Sequence, residues 1–232
     1  MPTSKQHYAV IVAAGQGKRM QSSIPKQFMP LKGKPILMHT ITNLHSIDSS
    51  LRFILVLSKE HIPLWQKLCS EYAFNLPITI VEGGKERFDS VKRGLAEVEN
   101  DSIVAIHDGV RPFVGKNVWK QCFDMAESAS NAVPALIAKD SIRLRCKETT
   151  KTFNRNDVYL IQTPQCFHSN LIKSAYNQPF NPLFTDDIQV FESIYDNKIN
   201  IIEGNAENIK ITTPFDVLIA DSIAAEWRKE SS

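Results

Sequence analysis

The chain has 232 residues, of which 43% are hydrophobic and 22% are charged, and its formal net charge is +2. This length allows one α/β domain with a sizeable core, spanning residues 1–232. The balanced charge argues against a nucleic-acid binder held by bulk electrostatics. No segment reaches the ~18 apolar residues of a membrane span, and residues 1–6 lack the apolar core of a signal peptide. We therefore expect a cytoplasmic protein that binds neither nucleic acid nor a membrane.

Strands and helices are predicted to alternate over the first 138 residues. Near-continuous apolar runs predict buried strands at residues 8–13, 52–57, 78–81, 103–106 and 131–138. Apolar residues at helical spacing predict helices at residues 35–47, 60–72, 87–98 and 117–128. This alternation is typical of a doubly wound, mostly parallel sheet, in which ligands bind beyond the carboxyl ends of the strands.

Near residue 140 the chain is predicted to leave the main sheet. Residues 141–146 alternate apolar and polar, residues 147–151 read as a polar turn, and residues 152–162 have further β character. We interpret the segment at about residues 139–165 as a protruding β-arm. An exposed hairpin must cover its edges and apolar face, so we predict that the arm forms a homodimer. After the arm, the pattern predicts helices at residues 168–176, 185–195 and 214–227 and short strands at residues 199–203 and 209–211.

The first predicted strand runs into a glycine-containing turn with basic residues at both ends. Residues 10–27 read VIVAAGQGKRMQSSIPKQ, so Gly15 and Gly17 are followed by Arg19 and, after a proline, by Lys26. Backbone N–H groups and positive charge suit a polyanion, most simply a nucleoside triphosphate. Position 20 is Met and no GK[ST] follows, which excludes a G-x-G-x-x-G dinucleotide motif and a P-loop.

Two later strands also end in polar motifs. Gly83 and Gly84 follow the third strand, and Ser90 follows a turn and a half later; this is either a glycine-capped loop or a pocket for a planar base. Asp108 and Arg111 follow the fourth strand. Asp108 is either a helix cap or a ligand of Mg²⁺, which accepts one or two carboxylates together with substrate phosphates.

Polar residues in the second half of the chain complete the candidate site. Lys210 stands inside a short apolar segment, and because a lysine is seldom buried without a partner, we expect it to point into a polar site. Thr185 is followed by Asp186 and Asp187, which is N-cap chemistry at a helix start. His107, at the end of the fourth strand, is interpreted as structural.

Taken together, these motifs resemble one enzyme family. In order, the chain has A-A-G-x-G-x-R-M, P-K-Q, G-G-x-x-R-x-x-S, H-D-x-x-R-P, N-R before T-P-Q, and N-I-K-x-T. From about residue 8 to residue 220 it resembles the 2-C-methyl-D-erythritol 4-phosphate cytidylyltransferases of the non-mevalonate isoprenoid pathway. The resemblance implies a Rossmann-like nucleotidyltransferase with a protruding β-arm, a homodimer with interlocking arms, and Mg²⁺-dependent transfer of CMP from CTP with release of pyrophosphate.

The resemblance also implies a role for each motif residue. The nucleotide-binding residues would be Ala13, Ala14, Gly15, Gly17, Gly83, Gly84, Ser90 and Asp108, with Asp108 also at the metal. The catalytic residues would be Arg19, Lys26 and Lys210. The substrate-binding residues would be Arg111, Ser141, Arg155, Thr163, Thr185 and Lys210, with Arg155 supplied by the partner's arm. The chain departs from the common pattern at Lys85 beside the base, at Gly109 near the ribose, and at Ser141, which replaces a threonine but keeps the hydroxyl.

Three alternative functions are open to the same sequence. A ribitol-5-phosphate cytidylyltransferase shares most motifs, but its first motif more often reads A-G-G, where this chain has Ala13-Ala14-Gly15. A sugar-1-phosphate nucleotidyltransferase generally has a longer glycine-rich turn and lacks the N-R…T-P-Q arm. A nucleotide-sensing or scaffold protein without activity would be favoured by loss of Lys26, Asp108 or Lys210, and all three are present.

Overall fold

The computed structural model describes residues 5–15, 24–196 and 198–230. Its strands are β1 His7–Val12, β2 Pro30–Leu31, β3 Lys34–Pro35, β4 Arg52–Leu57, β5 Ile78–Glu82, β6 Ile103–Asp108, β7 Asn131–Ile137, β8 Ile142–Cys146, β9 Thr149–Phe153, β10 Tyr159–Ile161, β11 Gln165–His168 and β12 Ile201–Glu203. Its α-helices are α1 Ile36–Ile47, α2 Ile62–Glu71, α3 Arg87–Ala96, α4 Lys116–Ala129, α5 Ser169–Ala175, α6 Asp187–Glu192 and α7 Pro214–Glu230.

The central sheet is mostly parallel, as predicted. Within the described ranges it has eight strands: seven follow the order β10-β7-β11-β6-β1-β4-β5, and β12, off this path, pairs in parallel with β7. Strands β1, β4, β5 and β6 pair in parallel, and β11 is antiparallel to both β6 and β7. Strand β1 lies between β6 and β4, which explains why its central residues are fully buried and apolar.

Helices cover both faces of the sheet. On one face, α1, α2 and α4 cover a cluster that contains Ile11 of β1 and Leu55 of β4. On the opposite face, α3, α5 and α6 cover a cluster that contains the alternate residues Val10 and Val56. Successive residues of a strand point to opposite faces, so an uninterrupted apolar run such as β1 supplies both cores. This is the doubly wound arrangement predicted from the alternating elements.

Helix α7 closes a smaller cluster beside the main core. Its residues Ala220 and Ala224 pack with Val110, Phe113 and Ile211. In the described part of the chain, no helix is long and apolar enough to cross a membrane. The cytoplasmic location expected from the sequence stays a prediction.

The segment at residues 142–153 forms an antiparallel hairpin of β8 and β9, which pairs with no other strand of the described ranges. The predicted turn at residues 147–151 was too long, because β9 begins at Thr149. Lys147 has a φ of 55°, so the chain reverses in the left-handed region at that residue. The β-branched Thr149 and Thr150 then pair with Cys146 and Arg145.

Strand β11 was not predicted. The helix predicted at residues 168–176 is confirmed as α5 at Ser169–Ala175, but the pattern gave no strand at Gln165–His168, where the structure has β11. Cys166 of β11 pairs with Ala105 on one side and Ala132 on the other. A strand of four residues directly after a proline offers too few positions to show a period, so it escapes a pattern-based prediction.

The predicted strand at residues 209–211 is also wrong, since the structure assigns no strand there. The two isoleucines that suggested it pack instead in the cluster under α7. The Ile211 N–H donates to the Val110 carbonyl at 3.0 Å. This contact fixes the segment beside the end of β6 and positions Lys210 at the sheet edge.

Candidate active site

The parallel register brings the predicted motifs to one edge of the sheet. Val12, the last residue of β1, lies opposite Asp108, the last residue of β6. Val12 also lies opposite Val56 of β4, and Glu82 of β5 lies opposite Leu57. The segments that leave β1, β5 and β6 therefore start side by side at the carboxyl ends of the strands, where doubly wound folds bind ligands.

A cavity of about 590 Å³ lies at this edge. Its lining includes most residues that the sequence assigned to the nucleotide, namely Ala13, Ala14, Gly15, Gly84, Ser90 and Asp108, together with Lys26 and Lys210. Gly17 and Arg19 lie outside the described residues, so their predicted roles stay predictions. We refer to this space as the first cavity.

Glycine is required at the end of β5 because the backbone there is closely packed. A Cβ atom on Gly83 would lie 2.6 Å from Ala14 Cβ and 3.0 Å from Ser90 Oγ. The Gly84 N–H donates to Ser90 Oγ at 3.1 Å, and the Ser90 hydroxyl donates to the Glu86 carbonyl at 3.1 Å. Gly83 does not itself line the first cavity, but it lets β5 and the β1 turn approach each other.

Lys26 reaches the first cavity through a short helical turn at Lys26–Phe28. The adjacent Gln27 is buried, and its amide Nε2 donates to the Ala13 carbonyl at 2.9 Å. The hydrogen bond ties the turn that carries Lys26 to the end of β1. Gln27 is part of the P-K-Q motif, but the sequence alone gave no indication of this supporting contact.

A second cavity, of about 370 Å³, adjoins the first. It includes four residues that the sequence assigned to the acceptor substrate, namely Arg111, Thr163, Thr185 and Lys210. Arg87, Asp108 and Lys210 line both cavities. The two spaces therefore meet at a boundary of one carboxylate and two cations.

Ser141 and Arg155 line neither cavity. Both are exposed residues near the base of the hairpin, and the Arg155 guanidinium donates to the Lys139 carbonyl at 2.6 Å. Within one described chain, the structure does not bring these two predicted residues to the site. The prediction that Arg155 acts in a partner's site stays a prediction.

Asp108 is held as a carboxylate by neighbouring cations. Its Oδ2 lies 3.0 Å from Lys210 Nζ and 3.2 Å from Arg111 Nε. Arg111 is fixed in turn by donating to the Asn208 carbonyl at 2.7 Å. Burial alone would raise the pKa of Asp108, but the charges of Lys210, Arg87 and Arg111 outweigh it and hold the pKa well below its usual range. Asp108 is therefore ionised at neutral pH.

His107 is buried beneath the site and is bonded at both ring nitrogens. Nε2 lies 3.0 Å from the Arg111 carbonyl and Nδ1 lies 3.1 Å from Thr163 Oγ1. The same Thr163 oxygen accepts from the Asp108 N–H at 3.1 Å. Burial lowers the pKa of His107 to about 4, so the ring is neutral at pH 7. The geometry supports the structural role expected for His107.

Arg87 and Asp187 form an ion pair that the sequence did not reveal, in which the carboxylate is fully buried and the arginine side chain is 31% exposed. Arg87 Nη1 and Nη2 each lie 2.7 Å from one Asp187 oxygen. The Tyr176 hydroxyl donates to Asp187 Oδ1 at 2.6 Å, and Asp187 has no exposed surface. Burial would lower the pKa of Arg87, but Asp187 outweighs this and raises it. The N-cap chemistry predicted for residues 185–187 is supplied by Asp186, whose carboxylate accepts from the Gln189 N–H.

The arrangement defines a class of protein. The segment from Ala13 to Gly15, a glycine-bordered pocket and a carboxylate surrounded by cations lie together at the carboxyl edge of a doubly wound sheet. This geometry suits an enzyme that binds a nucleotide and transfers part of it to an anion in an adjoining space. The fold and site thus define a nucleotidyltransferase.

Comparisons with known proteins identify the family. The family model described as IspD, 2-C-methyl-D-erythritol 4-phosphate cytidylyltransferase, matches residues 7–226. The chain belongs to this family, which confirms the resemblance seen in the motifs. It is an enzyme, a cytidylyltransferase.

Individual relatives agree with the family model over nearly the full chain. A protein of Bacteroides fragilis named 2-C-methyl-D-erythritol 4-phosphate cytidylyltransferase is 45% identical over 215 residues, which are 93% of this chain and 98% of that protein. A protein of the same name from Azobacteroides pseudotrichonymphae is 45% identical over 94% of this chain and 99% of its own length. The crystal structure of 4-diphosphocytidyl-2C-methyl-D-erythritol synthase from Anaerococcus prevotii superposes with a TM-score of 0.82, at 29% identity, over 95% of this chain and 96% of that chain.

Proposed function

We propose that the first cavity binds CTP and the second cavity binds the acceptor phosphate. As a member of its family, the enzyme transfers CMP from CTP to 2-C-methyl-D-erythritol 4-phosphate, which gives 4-diphosphocytidyl-2-C-methyl-D-erythritol and pyrophosphate. The observation that carries the assignment is the shared boundary of Arg87, Asp108 and Lys210 between the cavities. A reaction between two bound anions needs cations at the point where they meet.

The proposed chemical step is in-line attack by an acceptor phosphate oxygen on the α-phosphorus of CTP, with pyrophosphate as the leaving group. The phosphate nucleophile is already ionised at neutral pH, so no general base is assigned. The main obstacle is repulsion between the two anions. Lys26 and Lys210, which both line the first cavity, offset this repulsion and stabilise the charge that develops at the α-phosphate. Arg19 is proposed to assist them.

Ser90 and the Gly83-Gly84 backbone are proposed to border the cytosine, and Ala13 to Gly15 the ribose and phosphates. On the acceptor side, Arg111, Thr163 and Thr185 surround the polyol phosphate. Thr163 is buried and bonded to His107 and Asp108, so it is well fixed for this role.

Asp108 is the residue proposed to hold Mg²⁺. Its buried, ionised carboxylate lines both cavities, and Mg²⁺ commonly takes one or two carboxylates together with substrate phosphates. Among the described residues, no group of three or more His, Cys, Asp or Glu could hold a metal by itself. The donor set therefore fits an ion that binds together with the triphosphate. Such an ion supplies positive charge that neutralises the phosphates.

The homodimer is proposed to form through the β8–β9 hairpin. The register places Ile142 opposite Phe153 and Leu144 opposite Lys151, so these side chains share one face. Leu144 is 48% exposed and Phe153 is 41% exposed, which leaves an apolar face for a second copy to cover. In a dimer of this kind, Arg155 would reach the partner's acceptor cavity.

Sedimentation velocity tests the dimer. Leu144→Gln, on the apolar face, is expected to shift the enzyme toward monomer at micromolar concentration and to lower its activity. Thr152→Gln, on the opposite face of the same hairpin, is the matched control and is expected to remain dimeric. A wild-type enzyme that sediments as a monomer would contradict the proposal.

Pyrophosphate release tests the reaction and its acceptor. The enzyme is incubated with Mg²⁺, one nucleoside triphosphate and either 2-C-methyl-D-erythritol 4-phosphate or ribitol 5-phosphate. Release is expected with CTP and the methylerythritol phosphate, and at a much lower rate with ribitol phosphate or with ATP, GTP or UTP. Equal or faster release with ribitol phosphate would reverse the assignment of the acceptor.

A further inference from the structure

The Arg87–Asp187 ion pair joins two parts of the chain that are 100 residues apart in sequence. Arg87 begins α3, on the side of the first cavity, and Asp187 begins α6, on the side of the second. We infer that this pair is a positioning unit. The bidentate contact of the Arg87 guanidinium with Asp187 fixes the position of the acceptor-binding residues at the start of α6. The inference rests on the proposed assignment of the second cavity to the acceptor.

Helix α3 is anchored independently of the pair. Glu86 and Asp89 form a reciprocal capping box at its start. Farther along, Val91 and Leu95 are buried in the core against the sheet. Loss of the ion pair therefore leaves α3, and with it Ser90 and the nucleotide side of the site, in place.

Helix α6 is also anchored in this core through Ile188, Val190 and Phe191, so what Arg87 adds is a polar tie at the start of the helix. Helix α6 has only six residues, and three residues at or near its start, Thr185, Asp186 and Gln189, line the second cavity. Gln165 of β11 holds this end through its Oε1, which accepts from the Ile188 N–H at 2.8 Å. The bidentate contact from Arg87 to Asp187 is the charged link to the same end. Without this contact, the residues at the start of α6 that line the second cavity can change position.

The geometry of the contact requires arginine and not only a positive charge. A guanidinium presents parallel N–H groups that match both oxygens of a carboxylate, whereas an ammonium is a single point. Arg87→Lys therefore keeps a cation at the boundary between the cavities but loses the fixed orientation of Asp187. Both Nη atoms of Arg87 face Asp187. A nucleotide in the first cavity therefore interacts with Arg87 mainly through its positive charge, which lysine retains.

The test separates the Michaelis constants for the two substrates. For Arg87→Lys we expect the KM for the acceptor to rise at least tenfold and kcat to fall, while the KM for CTP stays within about twofold. A merely structural role would lower the melting temperature and the active fraction but leave both KM values unchanged, and that result would overturn the inference. Arg52→Lys is the matched control: Arg52 pairs with Glu99 at the opposite end of the sheet and lines neither substrate cavity.

A milder variant covers the case in which Arg87→Lys does not fold. Tyr176→Phe removes only the hydroxyl that bonds to Asp187, and we expect about a threefold rise in the acceptor KM with an unchanged KM for CTP. An acceptor KM within experimental error of wild type in Tyr176→Phe, or in a folded Arg87→Lys, refutes the inference. If the wild-type enzyme itself released no pyrophosphate from CTP with the acceptor, the proposed function would fail instead.

Discussion

Replacing Lys210 with alanine removes a cation from the boundary between the proposed CTP and acceptor sites. Lys210 is 39% exposed and lies 3.0 Å from the buried carboxylate of Asp108, which stays paired with Arg111 at 3.2 Å when Lys210 is removed. The main effect is on the charge that develops at the α-phosphate, because losing one stabilising donor typically costs about 3 kcal/mol. We therefore expect kcat to fall about 100-fold or more with only a small loss of stability.

The assay is pyrophosphate release at saturating CTP and acceptor, combined with thermal unfolding of each variant. Lys210→Arg keeps the charge and is expected to retain more activity than Lys210→Ala. Lys32→Ala is a matched surface control, because Lys32 pairs at 3.8 Å with Asp221 and lines neither cavity. The reasoning is refuted if Lys210→Ala keeps kcat within fivefold of wild type, or if its loss of activity matches a loss of folded protein.

Two further predictions concern His107 and Gly83. The pKa of His107 is lowered from 6.5 to about 4 in the folded enzyme, so as pH falls the unfolded state takes up this proton first. The free energy of unfolding should therefore decline between about pH 6.5 and pH 4, by on the order of 3 kcal/mol, and denaturant titrations should show a shallower decline in His107→Gln. Gly83→Ala places a Cβ 2.6 Å from Ala14 Cβ and should raise the KM for CTP at least tenfold in steady-state kinetics. Gly115→Ala meets nothing closer than 3.6 Å and should match wild type; equal KM values in the two variants would count against the close-packing argument.

Long apolar runs made the main fold predictable from the sequence. Strand β4 was predicted at residues 52–57 and is found at Arg52–Leu57, because a strand buried on both faces is apolar at every position but its ends. Strand β11 escaped prediction because its place between β6 and β7 depends on residues more than 30 positions away. The isoleucines at 209 and 211 misled the prediction because packing under a helix and pairing in a sheet select the same side chains.

The site was predictable where a motif ends a strand, and unpredictable where two distant motifs meet. Asp108 and Gly84 reach the first cavity because parallel strands end at one edge, a rule that needs no knowledge of the three-dimensional structure. The sequence did not reveal Asp187 as the partner of Arg87, because an acidic residue in the first turn of a helix is common and needs no distant partner to explain it. The one available signal was Arg87 itself, which stands within the motif G-G-x-x-R-x-x-S, but the motif alone does not indicate what the arginine contacts.

The position of β11 limits which strands can pair while the chain is still being synthesised. Residues 5–15 and 24–108 contain β1, β4, β5 and β6, which can pair among themselves as soon as they are synthesised. Strand β7 cannot join them, because β11 must first lie between β6 and β7. The edge of β6 whose backbone groups pair with β11 in the fold therefore stays open on the nascent chain until residue 168 has left the ribosome. The hairpin with its own apolar face emerges during that interval.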